Sequence, residues 1–197
     1  MKILAEMAMA AITSGAWAGP AVSVCMDVGA RPIEIIAAEK LASRMFADIG
    51  VETDWMERAN HADSCSRNDA IVITLSYQSA ESDHPGVWGY ARPYEGKHIV
   101  VFWDRMQRKL PLAQVRFLLA HVLVHEITHV LQGIARHSQT GVMKAYWDEH
   151  DIFEMMARRG LGFTELDVTL IYRGLAARSL AAASLGSSWR PNHPVTP

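Results

Sequence analysis

Residues 112–143 read LAQVRFLLAHVLVHEITHVLQGIARHSQTGVM, a long apolar run interrupted by His121, His125, Glu126 and His129 before it meets Gly133. Pro111 stands just ahead of the run. Its ring holds φ at a helical value, and its missing N–H would have had no partner in a first turn, so it suits a helix start. Gly133 suits the stop, because glycine enters the left-handed conformation without steric cost. The spacing therefore predicts one long helix to about Gln132. Leu119, Leu123, Ile127 and Val130 form its apolar stripe, which should pack on a sheet.

On the other side of that helix His125, Glu126 and His129 spell H-E-x-x-H. Histidines at i and i+4 lie one turn apart on one face, so both imidazoles can reach a single metal ion. Glu126 is rotated by roughly a quarter turn from His125, which puts its carboxylate beside the ion and within reach of a water on it. Burying two imidazoles and a carboxylate with no partner would cost several kcal/mol, so a metal is the natural companion. A catalytic zinc takes three protein ligands and leaves one position open. His137 is the first candidate for the third, with Gly133 turning the chain back toward the metal. A glutamate from a later helix, Glu149 or Glu154, is the alternative. His121, one turn before His125, reads as a hydrogen-bonded core histidine.

Outside this stretch, Val22 to Val28 reads as a strand, Pro32 opens a helix to about Asp48, and Gly50 separates it from a second strand at Val51 to Met56. Ile35, Ile36, Leu41, Met45 and Phe46 supply that helix with one apolar face. Arg58 to Asn68 is polar and reads as a loop. Ala70 to Ser76 reads as a strand buried on both faces, from its run Ile71-Val72-Ile73-Thr74-Leu75. Val87 to Arg92 and His98 to Trp103 form two short strands around Pro93-Tyr94-Glu95-Gly96. Asp148 with Asp151 caps a helix ending near Gly160, and Thr164 with Asp167 caps another ending near Ala183. The class is α+β, a mixed twisted sheet against a long helix that carries the candidate site.

The stretch H-E-I-T-H-V-L-Q-G-I-A-R-H-S-Q-T-G-V-M, residues 125–143, resembles the zinc signature of the metzincins followed by their Met-turn. The order of strands and helices from Val22 to Gly160 is similar to theirs as well. The resemblance implies one Zn2+ held by His125, His129 and His137, with Glu126 as the catalytic base and Met143 as an apolar floor beneath the ligands. The implied activity is endopeptidase hydrolysis by a water on the zinc. The family pattern is H-E-x-x-H-x-x-G-x-x-H. Here Gln132 stands at the glycine position and Gly133 follows, so the loop to His137 is two residues longer. The continuation H-S-x-T-G-x-M is similar to that of small secreted bacterial matrixin-like proteins. Tyr146 follows Met143 one position later than the tyrosine some metzincins place near zinc, and reads either as a stabiliser of the transition state or as a packing residue beside Trp147. Trp88 to Phe102 resembles the strand pair ahead of the matrixin zinc helix. It implies that backbone at Gly89, Tyr90 and Ala91 receives a peptide or protein substrate in extended form.

The formal net charge of −2, with 19 basic residues scattered among 21 acidic ones, argues against a nucleic-acid partner. Residues 1–18 read as a signal peptide ending in Ala16-Trp17-Ala18, although Glu6 interrupts its apolar core. The expectation is one metalloprotease domain over 19–183, secreted or periplasmic, followed by a flexible tail over 184–197. No later stretch is apolar for long enough to span a bilayer. The only cysteines, Cys25 and Cys65, would form a disulfide on export or stay buried and reduced. The same zinc and glutamate could instead serve a hydrolase of non-peptide amides, or the zinc could stabilise a binding module without turnover.

Overall fold

A computed structural model describes residues 19–28, 31–57, 65, 69–80, 82, 84–157 and 160–187. Five strands, β1 (Ala21–Asp27), β2 (Glu52–Glu57), β3 (Ile71–Ser76), β4 (Gly89–Ala91) and β5 (His98–Phe102), form one sheet in the order β2-β1-β3-β5-β4. All neighbours run parallel except β4, which lies antiparallel to β5 at one edge. Five helices accompany them among the described residues: α1 (Ile33–Ala47), α2 (Trp103–Lys109), α3 (Leu112–Gln132), α4 (Glu149–Met156) and α5 (Glu165–Ser187). The chain is α+β with a mixed sheet.

α3 is the axis of the molecule, touching α1, α2, α4, α5, β4 and β5. Every side chain from Leu118 to Leu131 is buried. The stripe of Leu119, Leu123, Ile127 and Val130 belongs to the core, and so does the opposite face, with Val122 and the site histidines. α1 lies beside α3 and contributes Ile35, Ala38, Ala42, Met45 and Phe46 to the same core. Its buried Glu39 is ion-paired with Arg31, which keeps a carboxylate tolerable there. Pro111 precedes α3 as its N-cap, and Gly133 ends it at φ 67°.

Several elements differ from the sequence expectation. β3 is not buried on both faces: Ile71, Ile73 and Leu75 are buried, but Thr74 between them is exposed. β5 stops at Phe102, and Trp103 begins a helix that the sequence reading lacked. α2 buries Trp103 and Met106 at i, i+3, and its Asp104 accepts from Arg108 at 2.8 Å one turn later. No side chain caps its start, so the usual signal was missing. β4 is confined to three residues, α4 ends at Met156, and α5 continues to Ser187, so residues 184–187 are helical and not part of a tail. The expected signal peptide over 1–18, most of the Arg58–Asn68 loop and the tail over 188–197 lie outside the described residues. Cys65 is described, and a disulfide joins it to Cys25 of β1 with the Cα atoms 5.4 Å apart. Among the described residues no helix is long and apolar enough to cross a membrane.

α5 reaches α3 closely because Gly174 has no side chain. A Cβ there would lie 1.6 Å from the carbonyl oxygen of Leu131, near the end of α3. Backbone cannot yield as a side-chain tip can, so Gly174→Ala should push the helices apart at a cost of about 2–3 kcal/mol. Thermal denaturation is expected to show a Tm lower by roughly 4–12 °C. An unchanged Tm would mean that the two helices are not packed this tightly.

Candidate metal centre

His125 and His129 stand one turn apart on the buried α3, and each is oriented by a carbonyl from the chain that follows. His125 Nδ1 lies 2.8 Å from the Val142 carbonyl oxygen, and His129 Nδ1 lies 3.1 Å from that of Ile134. A carbonyl only accepts, so both Nδ1 atoms carry the proton and both Nε2 atoms present a lone pair. Those two Nε2 atoms face each other at 3.0 Å. Burial holds the His125 pKa down to about 3 and that of His129 to about 4, with the neighbouring imidazoles lowering both further. At neutral pH no proton sits between them. Two lone pairs opposed at this distance repel each other, and a cation set between the rings would answer both at once.

The chain after α3 brings in a third imidazole. Gly133 turns it, and His137 comes to 5.2 Å from the His125 ring and 4.9 Å from the His129 ring, centroid to centroid. One nitrogen from each of the three lies within 4.8 Å of the others, a group that could hold a metal ion. Among the described residues no carboxylate joins it. Glu149, the alternative third ligand, lines the adjoining cleft, and Glu154 lies further along α4. The donor set of three neutral imidazoles suits zinc.

Gly141, Val142 and Met143 follow as a tight turn beneath the histidines. Gly141 has φ 77°, and a Cβ on it would lie 2.3 Å from the Gly162 carbonyl oxygen, so both conformation and space require glycine. Val142 N–H donates to that same oxygen at 2.9 Å while its own carbonyl receives His125. The Met143 carbonyl accepts from Ser138 N–H at 2.7 Å, binding the turn to the His137 loop, and the Met143 side chain is fully buried.

Glu126 is buried beside the histidines, and loss of solvation pushes its carboxyl up to about 8, opposed by a hydrogen bond from the backbone N–H of Ala91. That bond ties the glutamate to β4. Trp88 C=O accepts from Phe102 N–H, and Arg92 N–H donates to His98 C=O, so the even-numbered residues bond to β5. Gly89 and Ala91 therefore turn their backbone groups to the free edge, and Ala91 meets Glu126 there. The edge borders a cleft of about 720 Å³, lined also by His125, His129, His137, Val122, Trp88, Tyr146 and Trp147. Gly89 packs with its Cα toward Val122 of α3, where a Cβ would come 3.3 Å from the valine methyl.

Tyr146 lines the cleft wall and is 82% exposed. Trp147 does pack, edge-on to His125 with ring centroids 5.4 Å apart. The sequence reading passed over its contact with His125, as it did the Ala91 N–H on Glu126. Neither has a motif to announce it. His121 takes no part in the cluster: its Nδ1–H donates to the Phe117 carbonyl at 2.7 Å, and Nε2 accepts from Leu161 N–H at 3.0 Å.

By sequence, no protein family and no curated protein matches the chain. Among solved structures it is similar to archaemetzincin from Methanopyrus kandleri, at 17% identity and a TM-score of 0.49, covering 83% of this chain and 99% of that one.

The buried, neutral His121 sets a pH dependence on stability. Loss of solvation lowers its pKa from 6.5 to about 4. Above the unfolded value neither state binds the proton. As pH falls from there to about 4 only the unfolded chain does, and about 3 kcal/mol of stability is lost. In chelator-treated protein, the unfolding free energy of His121→Gln should therefore fall less steeply between pH 6.5 and 4 than that of the wild type. Denaturant titrations across that range measure it, and equal slopes would show that His121 is not held neutral by the fold.

Proposed function

We propose that this chain is a zinc-dependent endopeptidase of the metzincin type. The observation that carries the reading is the pair of opposed Nε2 lone pairs at 3.0 Å, with a third imidazole and a buried glutamate beside them. His125, His129 and His137 would hold one zinc. Zinc bound there supplies a Lewis acid that lowers the pKa of water and polarises a substrate carbonyl. Glu126, whose carboxyl the charge of a zinc on the neighbouring histidines would hold ionised against its burial, could accept the proton of the attacking water and pass it to the leaving amine. Three protein ligands leave a position open, whereas a purely structural zinc is closed by four.

The free edge of β4 supports a peptide as the substrate. An extended chain laid beside β4 gains main-chain hydrogen bonds from Gly89 and from the Ala91 carbonyl that a small amide cannot, and it runs alongside the imidazole cluster. Tyr146, exposed on the cleft wall, offers a phenol to the developing oxyanion. The Cys25–Cys65 disulfide suits an oxidising compartment, which together with the apolar, alanine-rich 1–18 segment favours a secreted or periplasmic protein.

The test separates metal from chemistry. Purified protein is expected to hold about one zinc per chain and to lose peptidase activity in chelator. Glu126→Gln should keep the zinc and lose about two to four orders of magnitude in turnover. His137→Ala should weaken zinc binding, while Glu149→Ala leaves it unchanged. Metal analysis and a panel of peptides and small amides measure all of this. Retention of zinc at wild-type affinity by His137→Ala, with loss in Glu149→Ala, would overturn the three-histidine site. Turnover of small amides alone would overturn the peptidase assignment.

A further inference from the structure

Asp167, on the first turn of α5, is fully buried and binds the chain on both sides of His137. Its Oδ2 accepts from Thr164 N–H at 3.0 Å and from the Thr164 hydroxyl at 2.6 Å, and Asp167 N–H returns a bond to the same hydroxyl. Those bonds cap α5 and need only one carboxylate oxygen. The other oxygen, Oδ1, accepts from Arg136 Nη1 at 2.8 Å and from the Ser138 hydroxyl at 2.7 Å. Arg136 and Ser138 are the two neighbours of His137 in the chain.

The contrast among the three histidines gives this arrangement its meaning. His125 and His129 are each aimed by an Nδ1–H bond to a carbonyl. The His137 ring has no hydrogen bond among the described residues, and it sits on the more exposed side of the cluster. An imidazole that lacks an outer hydrogen bond depends on its backbone to be aimed. That backbone is clamped at both flanks by one buried carboxylate, and again by Ser138 N–H on the Met143 carbonyl. The loop is two residues longer than the metzincin pattern and so has more freedom to lose.

We propose that Asp167 is a positioning residue for the metal centre, holding His137 in place through Arg136 and Ser138, in addition to capping α5. The inference rests on the reading of His137 as a zinc ligand. Asp167→Asn keeps the size but turns one acceptor into a donor, which then faces donors on whichever side it lies. The expected result is zinc affinity weakened by about ten- to a hundredfold, measured by competition with a chromogenic chelator. The visible absorption of the Co2+-substituted protein should change in intensity and position as well. Thr164→Ala removes the cap alone and should lower Tm while leaving affinity and the Co2+ spectrum as in the wild type. If Asp167→Asn does not fold, Arg136→Met, which removes one arm of the clamp, carries the same expectation with a smaller loss.

Wild-type zinc affinity and an unchanged Co2+ spectrum in a folded Asp167→Asn, or in Arg136→Met should that variant replace it, would overturn the proposal and reduce Asp167 to a cap. A wild-type chain that bound no zinc would overturn the metal reading itself, and this inference with it.

Discussion

α3 buries three histidines and a glutamate within nine residues, His121, His125, Glu126 and His129, inside a helix that is apolar at every other position from Leu118 to Leu131 save Thr128. Ionisable groups in such a place each cost several kcal/mol unless something answers them. Thr128 answers itself by donating to the Val124 carbonyl one turn back. His121 does the same with one ring nitrogen, but its other nitrogen, the Nδ1 atoms of His125 and His129, and Glu126 are met by chain outside α3. Phe117 and Leu161 satisfy His121, Val142 and Ile134 satisfy the Nδ1 atoms of His125 and His129, and Ala91 satisfies Glu126. What remains without a protein partner is the pair of Nε2 lone pairs, and they point at the same place as His137.

These partners come from different parts of the chain, and that couples the centre to the fold. The turn at Gly141 is pressed against Gly162 and holds His125. The turn at Val142 bonds to Gly162, just ahead of α5, and the His137 loop bonds to Asp167 in the first turn of α5. α5 is itself held to α3 by the close approach at Gly174. α5 is thereby part of the support for the loop that carries His137. On the opposite side Glu126 is bonded to the edge strand β4, so its position depends on the β4–β5 pairing.

Much of this was legible in the chain because it depends on local spacing. The i, i+4 histidines, Pro111 and Gly133 at the ends of α3, and the capping pairs Asp148–Asp151 and Thr164–Asp167 are all short-range consequences of helix geometry. The run Ile71 to Leu75 misled because it looks the same in sequence whether one face or two are covered, and only the packing, which leaves Thr74 exposed between Ile73 and Leu75, tells them apart. α2 escaped for a related reason: a short helix directly after a strand, without a capping side chain, leaves little in the sequence to separate it from the strand's end.

What the sequence by itself determined is the local set: a long helix carrying H-E-x-x-H, stopped by a glycine and followed by a further histidine and a turn. What only the tertiary structure decided is which groups meet across the chain. His137 beside His125, Ala91 on Glu126, Trp147 against His125, and Asp167 clamping the neighbours of His137 join residues 12 to 35 positions apart, with no periodicity linking them. The physical reason is that hydrogen-bond geometry inside one helix repeats and can be counted along a sequence. The closure of a loop onto a buried carboxylate depends on the paths of both segments, which only packing settles.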